Sequence, residues 1–322
     1  MFDFAGEVMA FVLLALFLQA PNQIDIANAV SYLELARENM SAIQSADVTI
    51  ISEEILDTSE DKAASDKVML VQSVRQRIKF DSESERVAFF TEKRIQGVDL
   101  SQDKAPVEIL VSASHGIWHE QGSKDVFVFE DGKTTRRPRH GYPKNFNLFM
   151  KGIGFPDPRC VALVGSTRSG FDFSKTRKGV GKFIVDVSQA RNKLQFKVEN
   201  REIGIDRAMS IVLFQFDMQD QVMLGREAKI VDTESLSESP MSKFSLRYKS
   251  KDGFHVPVFV ESSKRSSIVV GKRQIRGFVD SSQTINWVNI NNSECVTDKF
   301  WSSLDDFDSG MLDKLLPTSS LP

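Results

Sequence analysis

The stretch VMLVQSVRQRIKF, residues 68–80, decides the fold class. Val68, Leu70, Val74, Ile78 and Phe80 fall on even positions, interrupted by Gln72 and Gln76, while Ser73, Arg75, Arg77 and Lys79 fall on odd ones. Successive side chains of a strand point to opposite faces, so this period of two predicts one apolar face and one polar face. Val87, Phe89 and Ile95 continue the theme around Thr91 and Lys93. Strands that bury one face and wet the other belong to antiparallel sheets.

Similar runs follow at short intervals: 107–112, 116–120, 125–130, 182–187, 193–200, 210–218, 227–232, 243–248, 255–261, 267–270, 274–279 and 284–290. Turn residues separate many of them, including Gly122, Asp131-Gly132 and Asp252-Gly253. A sheet of this many strands must curl. The break from Pro138 to Pro158, with a short helical pattern at Phe146, Leu148 and Phe149, reads as a loop-and-helix insertion near 138–158. The alternative is a domain boundary.

Upstream, Ile26, Val30, Leu33, Ala36, Met40 and Ile43 recur at spacings of three and four, one stripe of an amphipathic helix over 24–43. That stripe must face something apolar, and the sheet supplies it. Before the helix, Val8 to Leu18 is an apolar run too short for a bilayer of about 30 Å, and the small Ala20 follows. Residues 1–20 therefore read as a signal-peptide-like leader and the chain as exported, to a periplasm or cell envelope. An uncleaved tether and a plain core segment are the other readings of the leader. The fold class expected is α+β: a large curved antiparallel sheet, a half-barrel, wrapped around the N-terminal helix, as one domain over 21–322.

The composition is that of an ordinary globular protein, 41% hydrophobic and 26% charged with a formal net charge of -3, which gives no reason to expect a nucleic-acid partner. Cys160 and Cys295 lie far apart and could close one disulfide, or remain buried small hydrophobes; neither belongs to a CxxC pair, so no structural zinc is expected. His115 and His119 with Glu120 lack the zincin order and its helix, and read as edge or surface histidines, so no metal is expected. Gly165 to Gly170 is followed by Phe171 where a phosphate loop needs Lys, and Phe183 follows Gly179-Val180-Gly181-Lys182 where it needs Ser or Thr. No cofactor is expected. There is no Gly-x-Ser-x-Gly elbow either, so the expectation is that the protein is not an enzyme.

The segment Ser112-Ala113-Ser114-His115-Gly116-Ile117-Trp118 with Val126-Phe127-Val128-Phe129 returning, and later Ile285-Asn286-Trp287-Val288-Asn289, then Phe300 and Asp305-Asp306, resembles the bacterial lipoprotein-carrier superfamily, the periplasmic half-barrels related to LolA and LolB. The resemblance implies a helix preceding a curved antiparallel sheet over nearly all of the chain. It also implies transport of lipoprotein acyl chains.

The candidate ligand face comes from the aromatics. The chain has 24 Phe against 3 Tyr, a bias towards apolar surface without a polar handle. Phe80, Phe89, Trp118, Phe127 and Phe129 lie in neighbouring strands and form the candidate apolar-ligand site in the concavity, or else a filled core between sheet and helix. Arg136, Arg137 and Arg139 beside Pro138 form a basic patch: a solvated loop, or a contact with anionic headgroups in peripheral membrane association. The reading is a non-enzymatic binder or carrier of a lipid or lipoprotein acyl chain. The alternative is an envelope scaffold that contacts protein partners through its loops.

Overall fold

The computed structural model describes residues 31, 35, 36, 38–57, 68–84, 86–99, 111–119, 125–138, 182–201, 208–232, 235, 237–270, 273–292, 297–304 and 307–317. The leader, the proposed insertion at 138–158 beyond Pro138, Arg139, Cys160 and Cys295 lie outside them. The strands are β1 Ser45–Asp57, β2 Val68–Asp81, β3 Arg86–Asp99, β4 Val111–His119, β5 Asp125–Glu130, β6 Lys133–Pro138, β7 Lys182–Ala190, β8 Lys193–Arg201, β9 Ala208–Asp217, β10 Val222–Val231, β11 Glu238–Lys251, β12 Phe254–Val270 and β13 Arg273–Val288. Two short helices follow, α1 Asp298–Ser302 and α2 Ser309–Leu315.

The chain divides into two compact units, Met1–Glu38 with Leu163–Lys243, and Asn39–Ala162 with Phe244–Pro322. The sequence reading placed 21–322 in one domain. The division falls inside the continuous strand β11, so the sequence pattern carries no mark of it. In the larger unit the strands hydrogen-bond in the order β6-β5-β4-β3-β2-β1-β13-β12-β11, and in the other β10-β9-β8-β7. The registered pairs of both are antiparallel. Neither order returns on itself. The fold is thus the expected one, a large antiparallel sheet with few helices, left open as a half-barrel requires.

Two hairpins show why local chemistry sets the register. Asp131 and Gly132 have φ of 52° and 74°, and Asp252 and Gly253 have 51° and 83°. Two left-handed residues in succession form the turn whose twist matches paired strands, and Asp-Gly is the dipeptide that tolerates it. Several expected strands merge: 255–261 and 267–270 are one strand, β12, and 274–279 and 284–290 are both carried by β13. Ser262-Ser263 and Ser281-Ser282 interrupt the apolar pattern there without breaking the ladder, since Ser262 pairs with Ser281.

The described helical residues before β1 are 31, 35, 36 and 38–41, where Ala36 and Met40 are buried; Ile43 beyond them is fully buried. The junction is pinned by Asn291, whose side-chain oxygen accepts from Gln44 N (2.6 Å) and Ser45 N (3.1 Å) and whose Nδ2 donates to the Ala42 carbonyl (3.0 Å). Asn291 holds φ at 50°, a left-handed conformation that Asn tolerates better than most residues. Asn291→Ala removes these bonds and strains the backbone, so a loss of about 1–3 kcal/mol is expected in urea unfolding.

Candidate functional site

Register across β1 to β6 sorts the candidate aromatics onto two faces. Asp47, Lys79, Ala88, Trp118, Phe127 and Arg136 form one row of directly opposed residues, and Thr49, Arg77, Phe90, Gly116, Phe129 and Thr134 form the next row on that same face. Phe80 opposes Ala46 and Val87, and Phe89 opposes Ile78, which puts both on the reverse face. The structure therefore brings Trp118, Phe127 and Phe129 together, and separates them from Phe80 and Phe89 by the thickness of the sheet.

Neither group is open space. On the reverse face Val48, Ile78, Phe80 and Val87 have no exposed surface and Phe89 is 7% exposed. On the other, Ala88, Phe90, Trp118 and Phe129 form one core cluster with Trp301, Leu304, Phe307, Leu312 and Leu316. Phe307 is central: its ring lies 5.1 Å from Phe90, 5.2 Å from Trp118 and 4.9 Å edge-on from Phe129. Phe127 stacks on Trp118 at 5.7 Å. Gly116 makes this possible, because a Cβ there would meet the Phe90 ring at 3.1 Å.

This face carries Arg75, Arg77 and Lys79, which the alternation assigned to water; residues 297–304 and 307–317 cover it instead. Arg75 and Arg77 donate to the carbonyls of Pro317 and Leu315, both at 3.2 Å, and Lys79 lies 4.5 Å from the Phe300 ring centre. Beneath these residues the charges are paired. Arg77 forks onto Asp47 at 2.9 and 2.7 Å, Lys79 reaches the same carboxylate at 3.0 Å, and Glu92 accepts from Arg75 and Arg94. The covering helices were legible but unread: Thr297 and Asp308 are N-caps, bonded to Phe300 N and Met311 N, and the apolar spacing from Trp301 to Leu316 follows them.

Burial by itself would raise the Glu92 carboxyl, but the hydrogen bonds and charges of Arg75 and Arg94 outweigh it and hold the group below its ordinary value of 4.5. Such a lowered acid stabilises the fold fully above about 4.5 and loses that contribution as pH falls through its lower folded value. Urea unfolding of Glu92→Gln is expected to show about 2–4 kcal/mol lost at neutral pH and a shallower decline below about pH 4.5 than in wild type.

Arg136 and Arg137 lie on β6 rather than in a loop, because the Asp131-Gly132 turn adds a sixth strand that the spacing did not suggest. Arg136 is paired with Asp125, and Arg137 donates to Glu130 at 2.9 Å. An end strand bearing Lys133, these arginines and Pro138 has the features that protect sheet edges from pairing. Among the described residues no group of three or more His, Cys, Asp or Glu is placed to hold a metal ion, and no helix is long and apolar enough to cross a membrane.

One open volume among the described residues lies elsewhere in the larger unit. A cavity of about 600 Å³ is bounded by Arg247, Tyr248, Lys249, Ser250 and Lys251 of β11, Val256, Val258 and Phe259 of β12, and Thr284, Ile285, Asn286 and Trp287 of β13. Trp287 and Ile285 oppose Val48 and Ile50 and so share the face of Phe80 and Phe89. The Trp287 indole donates to the Pro257 carbonyl at 2.8 Å and is buried. Arg247 lies 3.9 Å from the Phe259 ring centre, Lys251 donates to the Trp287 carbonyl, and burial pushes the Tyr248 hydroxyl pKa up, keeping it a neutral phenol. Apolar walls with cations beside them can hold a chain and its head group. Sequence reasoning passed over this place, although Phe244–Lys251 has Arg247, Lys249 and Lys251 and no carboxylate.

No family model matches the chain, and no curated protein matches it. Among solved structures it is similar to a LolA superfamily protein from Nitrosomonas europaea, with 11% identity over 80% of this chain and 91% of that one and a TM-score of 0.32. An outer membrane lipoprotein-sorting protein domain from Vibrio parahaemolyticus shares 11% identity over 87% and 97%, TM-score 0.33. A DUF1329 family protein from Desulfovibrio piger shares 13% over 85% and 98%, TM-score 0.32.

Proposed function

We propose that this chain is an exported, non-enzymatic binder or carrier of an apolar ligand, a lipid or lipoprotein acyl chain, taken up by the cavity between β11, β12 and β13. The observation that carries this reading is the cavity itself. Its volume lies within the range of about 300–1,000 Å³ typical of ligand pockets, and the half-buried Val258 and Phe259 supply apolar wall. Each methylene buried contributes about 0.8 kcal/mol, so a chain of several offsets the cost of association. The resemblance of the sequence motifs to the lipoprotein-carrier superfamily supports the acyl class of ligand and an envelope location.

The candidate residues Phe80, Phe89, Trp118, Phe127 and Phe129 serve as the packed frame in this account. Their burial favours the scaffold alternative for that end of the sheet, where a filled core leaves only outer surfaces for envelope partners.

A fluorescent fatty-acyl probe separates the two readings. Wild type is expected to bind it with micromolar affinity or better. Val258→Glu, at a half-buried wall position, is expected to weaken binding about tenfold or more while the thermal transition stays in place. Failure to bind any member of a lipid and lipopeptide panel makes the filled-core scaffold the better account.

A further inference from the structure

We infer that the cavity selects an acyl chain bearing an anionic phosphate head, and that Arg247 and Lys249 read that head. This rests on the apolar-ligand reading and deepens it. The lining supplies two chemistries: the half-buried Val258 and Phe259 are apolar, whereas Arg247, Lys249 and Lys251 bring three cations from five consecutive residues, and Thr284 and Asn286 add polar side chains. No lining residue is a carboxylate. Several cations elsewhere in the described structure meet acids, as Arg75 meets Glu92, Arg77 meets Asp47, Arg137 meets Glu130 and Lys229 meets Glu238. Here the charges converge with no acid lining the cavity to answer them.

The cations differ in what they can do. Lys251 is committed to the Trp287 carbonyl. Arg247 is exposed and set over the Phe259 ring, which orients a planar fork suited to two oxygens at once, and Lys249 is exposed one alternate position on. Three acceptor oxygens on a phosphate match a fork and a point charge together better than the two of a carboxylate. The apolar wall beside them lowers the local dielectric and strengthens the contact.

The test compares dodecyl phosphate, dodecanoate and dodecanol, identical in chain, each below its micelle concentration, by calorimetry on the full chain. Dodecyl phosphate is expected to bind about tenfold or more tightly than dodecanol, since a charge-assisted hydrogen bond contributes about 1.5–3 kcal/mol, and added salt narrows the gap. The double variant Arg247→Gln with Lys249→Gln is expected to erase the preference, with a thermal transition at the wild-type temperature showing that the fold is intact. Equal binding of phosphate and alcohol by wild type overturns the inference and leaves the apolar reading standing. Dodecanoate as tight as dodecyl phosphate overturns the phosphate preference. Binding of none of the three overturns both.

Discussion

Phe307→Ala lowers the stability of the larger unit by about 3–5 kcal/mol, the range for truncating a large buried aromatic. Phe307 is 7% exposed and its ring touches those of Phe90, Trp118 and Phe129 at centroid separations of 5.1, 5.2 and 4.9 Å. No neighbour can close the gap cheaply, because Trp118 is held by Phe127 and Phe90 sits over Gly116. Urea unfolding followed by tryptophan fluorescence measures the loss, with Trp118 and Trp301 both in this cluster. A transition at the wild-type midpoint would show that residues 297–304 and 307–317 do not cover the sheet, and the assignment of this face would fall with it.

Asp47→Ala is expected to be about as damaging, at roughly 3–5 kcal/mol, for an electrostatic reason. The carboxylate side chain is 7% exposed and answers two cations, Arg77 in a two-pronged contact and Lys79 at 3.0 Å, themselves 25% and 11% exposed. Removing it leaves both positive charges half-buried under α1 and α2 without their acid. Replacing Asp47 and Lys79 together by apolar residues should recover the part of the loss that comes from Lys79, because the cost of that orphaned charge disappears with the charge, whereas Arg77 keeps its own. A double variant no more stable than Asp47→Ala would contradict this.

The sheet was legible because its strands alternate for most of their length. Val74, Ile78 and Phe80 against Arg75, Arg77 and Lys79 leave one reading of residues 68–80, and Asp131-Gly132 and Asp252-Gly253 fix two hairpins by backbone chemistry alone. What alternation could not say was which strands adjoin and what covers each face. Trp118 and Phe89 look equivalent in sequence, yet they face opposite ways, because Trp118 opposes Ala88 and Phe89 is the next residue along. Arg75, Arg77 and Lys79 look wet because Glu92 and Asp47, which neutralise them, are distant in sequence. The cavity escaped notice for the same reason: Arg247, Val258 and Trp287 meet only once β11, β12 and β13 are side by side.

The central claim, that an apolar ligand enters between β11, β12 and β13, is tested most directly by a photoreactive fatty-acyl probe irradiated on the full-length protein, with the labelled peptides mapped by mass spectrometry. The account predicts label on peptides containing Val256–Phe259 and Thr284–Trp287, lost when unlabelled fatty acid competes. Competed label confined to β3, β4, β5 or residues 297–304 and 307–317 would contradict it, since that would place the ligand among side chains that the chain fills by itself.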